Sequence, residues 1–242
     1  MLARLCILFL LCCSLLQGWA YQSVPSLTES TRRSPVFLGC SLMEGFRSNY
    51  VYRGRKLGDQ VWESQFAFSG ALDNDWAFSG EADYLRGFDG NEFGQTIMYG
   101  ELMYYVGDEC TLGISVARNW FDKTVLKSGT ENGVHLHWSP TASWYIHTFA
   151  VYDYAQDGFY GQAAVTWQPL IFQSTAWVST IAVGVASKYH GVSGLQDLMV
   201  RTGPLFRLGE AFRLQPFVAY YQGLAHGIDN HVSVGAWLTW CF

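Results

Sequence analysis

The feature that most restricts this chain is an alternation of apolar and polar side chains that recurs, segment after segment, between Val36 and Phe242. Stretch 231–242 (HVSVGAWLTWCF) shows it best. Val232, Val234, Ala236, Leu238, Trp240 and Phe242 fall on one side of an extended chain; His231, Ser233, Gly235, Trp237, Thr239 and Cys241 fall on the other. Successive Cβ atoms of a strand point to opposite faces, so this period makes a strand with one apolar face. A secreted sandwich hides such a face in a core, whereas a membrane barrel turns it to lipid. A final strand ending on Phe has the form of the closing strand of an outer-membrane barrel.

Composition separates the two architectures. Charged residues make up 14% of the chain, aromatics 17% and hydrophobic residues 50%, whereas a water-facing surface alone usually carries about 25–35% charged residues. Much of this surface therefore faces something other than water. After the leader, no segment is long and apolar enough to span a membrane as a helix, so a membrane must be crossed by strands. The net charge is −5 and Lys and Arg form no run, which argues against nucleic acid as a partner.

Residues 1–20 carry one Arg, an apolar run over 5–16 and small residues at Gly18 and Ala20, the pattern of a cleaved secretory signal. Residues 21–39 are expected to form a short periplasmic tail and 40–242 the barrel. Cleavage leaves Cys40, Cys110 and Cys241. A Cys40–Cys241 staple across the seam would need a bulge, because Cys40 shares parity with the apolar face and Cys241 faces inward.

Alternating segments fall at 40–53, 61–72, 76–86, 93–106, 110–121, 131–139, 143–153, 159–168, 176–188, 196–208, 212–222 and 231–242. The expected fold is all-β: an antiparallel transmembrane β-barrel of twelve strands with both termini periplasmic, ten or fourteen being the alternatives. Residues 54–60 are expected as a loop, and no connection is long enough to make an internal plug. Aromatics near segment ends suggest two girdles: Tyr50, Tyr52, Trp62, Trp76, Tyr84, Trp120, Trp138, Trp144, Tyr152, Trp167, Trp177, Tyr189, Tyr220 and Trp240.

If the apolar parity faces lipid, the opposite parity lines the lumen. It places an acidic wall of Glu63, Glu81, Asp83 and Glu101 across from a basic wall of Lys188, Arg201, Arg207 and Arg213. Such walls would form a constriction whose transverse field orients small polar solutes. The competing reading is that the charges pair and fill the lumen.

His135, His137 and His147 share the inward face of neighbouring segments, with Ser139 and Ser143 nearby. They are expected as polar lumen lining. An enzyme acting on lipid or peptide is the alternative, although the inward direction and the serines' place toward the periplasmic end argue against lipid hydrolysis. No metal is assigned, since no Cys or acid at telling spacing completes a ligand set. The run 87–94 (GFDGNEFG) joins two strands rather than opening a helix, so it has no phosphate-binding dipole, and Asp89, Asn91 and Glu92 read as solvated loop rather than a Ca²⁺ site.

Arg47 to Gly54 reads RSNYVYRG and is followed by the strand QFAFSGA. This resembles the start of the TorF-type porin family of Gram-negative outer membranes, whose barrels begin with a Ser-Asp/Asn-Tyr-Val-Tyr/Phe-Arg-Gly motif. The sequence departs from that family at Arg55, Lys56, Leu57 and Gly58, where Ile-Ser-Gln-Thr is usual. The resemblance implies an outer-membrane barrel of channel function and carries no catalytic residues or cofactor. The expected function is therefore passive diffusion of small polar or charged solutes, with a non-transporting structural barrel as a further alternative. The expected partners are outer-membrane lipid, those solutes and, during insertion, the barrel-assembly machinery. Trp240 and Phe242 are expected to act as the assembly signal. Deleting Phe242 should lower the amount of protein in the outer-membrane fraction on immunoblots while leaving the conductance of each inserted molecule intact; an unchanged amount would remove that role.

Overall fold

The structure is a computed structural model that describes residues 36–88 and 93–242. The expected signal (1–20), most of the tail (21–39) and Asp89, Asn91 and Glu92 lie outside the described residues. The strands are β1 (Val36–Tyr52), β2 (Arg55–Ala71), β3 (Trp76–Gly87), β4 (Gly94–Gly107), β5 (Cys110–Asp122), β6 (Gly129–Thr141), β7 (Trp144–Asp153) and β8 (Gly158–Trp167). They continue as β9 (Leu170–Phe172), β10 (Thr175–Tyr189), β11 (Val192–Leu208), β12 (Phe212–Gly223) and β13 (His231–Cys241). β1 thus begins inside the stretch assigned to the tail.

Each long strand pairs antiparallel with the next, and β13 pairs back onto β1 through Ser41↔Cys241 to Arg47↔Gly235. The ring is a closed barrel of twelve strands; β9 is a short addition that continues the line of β8 along the same edge of β10. Among the described residues, closure gives every strand of the ring two neighbours, the way β-structure satisfies its backbone in hydrocarbon. The chain end is tied in: Cys40 N donates to Phe242 O and Phe242 N to Cys40 O, each at 2.9 Å. Cys40 and Cys241 lie one step out of register on opposite faces, because Cys241 pairs with Ser41.

The outer surface follows the alternating parity. Ile114, Val116, Val134, Ile181 and Val234 are exposed, while Ala117, Asn119, His135, Ala182 and Ser233 on the other parity are buried inside. Trp76, Tyr104, Trp138, Trp144, Trp167, Trp177 and Trp240 ring the end that holds the C-terminus; Trp62, Tyr84, Trp120, Phe159 and Tyr220 ring the opposite end. Tyr50, Tyr52 and Tyr189, expected in the girdles, are instead buried inside. Glu44 is an acidic residue in mid-strand on the outer face, where its carboxylate accepts hydrogen bonds from Trp62 Nε1 (2.8 Å) and Ser64 Oγ (2.7 Å).

The largest departure from expectation is the β1–β2 hairpin. The stretch 54–60, expected as a loop, is strand from Arg55 onward, and only Arg53 and Gly54 turn. Both have positive φ (49° and 76°), the two-residue type I′ geometry that matches strand twist. Neighbours release this hairpin early: β13 follows β1 only to Arg47, and β3 follows β2 only from Val61. Beyond those points β1 and β2 pair with each other alone, through Asn49↔Asp59 to Tyr52↔Arg55. Positive φ at Gln60 (48°) and a register shift at Tyr50/Val51 let the free arm bend.

The arm bends inward because its inner face is apolar. Tyr50 and Tyr52 join Val61, Leu85, Phe93, Ile97 and Leu126 in one buried cluster, with Tyr50 stacked on Phe93 at 5.5 Å. Burying each such large apolar side chain is worth about 1.5–3 kcal/mol, which outweighs the cost of bending a short arm. The short connections therefore did not preclude a plug; a strand hairpin supplies it.

If the outer parity meets lipid, Ile114→Arg should destabilise the refolded barrel by about 2–4 kcal/mol. Urea titration in lipid vesicles reads this directly; a change within about 0.5 kcal/mol, typical of a harmless surface substitution, would contradict the assignment.

Candidate functional site

The hairpin turn reaches the far side of the lumen. Arg53 forms an ion pair with Glu131 on β6, and its Nη1 also donates to Tyr189 Oη on β10 at 2.9 Å. Its guanidinium lies 4.8–5.2 Å from the ring centroids of Tyr52, Tyr160 and Tyr189. The Gln196 side chain on β11 donates to the Arg53 carbonyl. Gly54 packs so closely on Asp197 that a Cβ there would stand 2.6 Å from Oδ2, so its lack of a side chain serves both the left-handed turn and this contact. One arginine thus joins three separated parts of the wall and closes the barrel at the rim remote from the C-terminus.

Below this plug lies a cavity of about 330 Å³, lined by side chains of both charges. Glu63, Glu81, Asp83 and Glu101 are all buried inside the barrel, as the alternation placed them. Glu63 accepts from Arg47 on β1 and from Trp237 Nε1 at 3.0 Å. The guanidiniums of Arg47 and Arg201 lie 5.4 and 5.0 Å from the Trp237 ring, so both cations gather beside the acids.

This arrangement corrects the picture of two opposed walls. Of the four basic residues, Arg201 alone lines the cavity. Lys188 sits at a bulge (Ser187/Lys188, φ 57°) that turns Tyr189 inward and leaves the lysine exposed. Arg207 and Arg213 face each other at the C-terminal end of the barrel, Arg207 exposed and Arg213 half-buried, near the mouth. Arg47, Arg53 and Glu131 carry the lumenal ion pairs and were not among the expected residues. Glu131 shares parity with His135 and His137, and Arg47 and Arg53 stand on the inward parity of segment 40–53, so that signal was present; the inward bend that brings Arg53 to Glu131 was not.

The histidines converge. His135 and His137 lie two apart on β6, and His147 on β7 is the direct partner of His137. Their rings are nearly parallel: His137 and His147 stack at 4.4 Å and 8°, His135 and His147 at 5.4 Å and 11°. His135 Nδ1 stands 3.1 Å from His147 Nε2, and His135 Nε2 stands 2.7 Å from Ser115 Oγ. His137 Nε2 meets Glu101 Oε1 at 2.8 Å and His137 Nδ1 meets Tyr145 Oη at 2.7 Å. Glu101 is further held by Tyr99 Oη at 2.6 Å. Glycine makes the room: a Cβ at Gly113 would stand 1.9 Å from Glu101 Oε1. Ser139 is exposed and Ser143 half-buried at the C-terminal end, away from this cluster; Ser115 meets a histidine nitrogen instead.

No protein-family model and no curated protein matches the sequence. Solved structures do. The KdgM porin superposes with a TM-score of 0.55 at 7% identity, covering 84% of this chain and 99% of that one. An outer membrane channel from Pseudomonas putida F1 gives 0.54 at 7% identity, covering 91% and 100%. The NanC porin gives 0.53 at 12% identity, covering 83% and 97%. At such identities the likeness is one of fold, and that fold is the outer-membrane β-barrel.

The plug contact is testable alone. Arg53→Ala leaves Glu131 buried without its cation and directly across from Asp153; breaking a buried pair costs about 3–5 kcal/mol. The hairpin should then leave the lumen, and trypsin should cut after Arg55 or Lys56 faster than in the parent protein. Equal cleavage rates would show that Arg53 does not hold it.

Proposed function

We propose that this protein is a porin-like channel of the Gram-negative outer membrane for small polar or charged solutes, closed at one rim by its first hairpin. One observation carries the reading: a closed barrel with an apolar exterior encloses a polar cavity lined by acidic and basic side chains. A barrel serving only as a membrane anchor has no need of an interior of that kind, and lumenal charge is the means by which pores select solutes. The neighbours in fold named as porins or channels support it.

Several finer points belong to the same proposal. The chain reaches the outer membrane through the periplasm after cleavage at Ala20, and both termini lie on the periplasmic side. The hairpin then closes the external rim. The motif at Arg47 to Gly54, shared in pattern with the TorF-type porins, is the ascending arm and turn of that hairpin. Arg47, Glu63, Asp83 and Arg201 form the charged lining that a solute meets beneath the plug. Over the whole cavity lining, five acids (Glu63, Asp83, Glu101, Glu131 and Asp197) stand against three arginines (Arg47, Arg53 and Arg201), which favours cations.

Planar-bilayer recording tests the proposal. The parent protein should show small or infrequent conductance steps, and Arg53→Ala should raise their size or open time several-fold. Glu81→Ala should reduce cation preference, and Arg201→Ala should increase it, both read from reversal potentials in a salt gradient. A barrel that is folded yet shows no steps even with Arg53→Ala would overturn the channel reading.

A further inference from the structure

We propose that His135, His137 and His147 form a binding site for a late first-row divalent metal ion, Zn²⁺ being the reference case, inside the barrel lumen. The reading goes beyond solute passage and stands whether or not the barrel conducts.

The backbone sets the geometry. Residues two apart on a strand lie on the same face about 6.6 Å apart, and directly paired residues on adjacent strands lie about 4.5–5.5 Å apart. His135, His137 and His147 occupy these three corners on β6 and β7. One nitrogen from each ring already lies within 4.8 Å of the other two. Zinc–imidazole bonds of about 2.0–2.1 Å in a tetrahedron put ligand nitrogens about 3.3 Å apart. The His135 Nδ1 to His147 Nε2 distance of 3.1 Å is at that value.

The remaining adjustment is small. Lone pairs lie in the ring planes, and nearly parallel rings do not aim at one point. The terminal torsion of histidine is broad, so rotating an outer ring costs little. The hydrogen bonds outside the cluster favour a specific set of donors. Ser115 engages Nε2 of His135 and Glu101 engages Nε2 of His137, so Nδ1 of each turns to the ion. A carboxylate on the far nitrogen of a ligating imidazole fixes its tautomer and raises its basicity. Glu101, held in turn by Tyr99, stands in that relation to His137.

The chemistry selects the metal. Three imidazoles suit Zn²⁺, Ni²⁺ and Cu²⁺ and not the oxygen-seeking Mg²⁺ or Ca²⁺. All three histidines line the cavity, so the fourth position faces its interior, where water or a solute anion completes the shell. Tyr145, whose Oη now meets His137 Nδ1, would give up that nitrogen to the ion.

Isothermal titration of the detergent-solubilised full chain with ZnCl₂ tests the site, with Co²⁺ added in parallel to read its visible spectrum. We expect one Zn²⁺ per chain at micromolar affinity or tighter, and an intense Co²⁺ band of four-coordinate nitrogen ligation. Glu101→Gln should weaken binding by about 10–100-fold, and His147→Ala by more. His226→Ala, outside the cluster, should leave affinity unchanged. His147→Gln keeps the size of the side chain and replaces His147→Ala should that variant not fold, folding being read from heat-modified gel mobility. Absence of saturable one-to-one binding by the folded parent protein, or unchanged affinity when all three histidines are replaced by Gln, overturns the proposal. So does Ca²⁺ binding at equal strength, which would mark non-specific attraction to the acids.

Discussion

Backbone hydrogen bonding is the constraint on which this structure depends. An amide left unpaired in hydrocarbon costs several kcal/mol, so the sheet must close. Closure here is made by β13 on β1 and is completed at the last residue, Phe242, whose amide and carbonyl both bond Cys40. The seam exacts close packing inside. Trp237 lies over Gly45, where a Cβ would stand 2.2 Å from its ring, and stacks on Phe217 at 4.1 Å. The same indole donates to Glu63 and receives Arg47 and Arg201 on its faces. The seam is therefore also the foundation of the lumenal charge cluster.

Closure explains the plug as well. Where β13 and β3 stop following β1 and β2, the hairpin has spare backbone groups on both edges and an apolar inner face. Side chains finish the edge nearest β13: Ser233 Oγ donates to Asn49 O, and Val234 N donates to Ser48 Oγ. Beyond that point water would have to solvate Tyr50 and Tyr52, so folding in is the lower-energy course. Arginine suits the tip better than lysine because its planar fork pairs with a carboxylate while its faces rest on aromatic rings. Arg53 does both, against Glu131 and three tyrosines.

Most of the wall was legible in the sequence because a period of two is enforced by the pleat. The boundaries of β3 to β8, β10, β12 and β13 follow the alternation closely, β11 begins earlier, at Val192, and Glu63, Glu81, Asp83, Glu101 and the three histidines lie inside as parity requires. Parity fails where the backbone breaks step. At Lys188 one bulge exchanges the faces of two residues, and nothing in the surrounding residues announces it. The hairpin was missed for a different reason. Gly54, Gly58 and the charges of Arg55, Lys56 and Asp59 have the composition of a loop, and what makes them strand is pairing with β1. Their inward course depends on which neighbours stop short, a property of the whole ring. The approach of Arg53 to Glu131, 78 residues later in the chain, is equally a tertiary fact.

The two polar devices inside the barrel rest on different supports. The plug is held by contacts that cross the lumen, from β1 and β2 to β6, β10 and β11. The histidine cluster is local to β6 and β7 and is braced by Ser115 on β5 and Glu101 on β4. Both nevertheless draw on one wall strand: Glu131 and the two β6 histidines are spaced along the same inward face, with Gly133 between them. A Cβ at Gly133 would stand 2.8 Å from Ser115 Oγ and 3.2 Å from His135 Nε2. That glycine gives the cluster its space while the strand carries the plug's anchor a step away, so β6 is the element through which closure of the rim and chemistry of the lumen are joined.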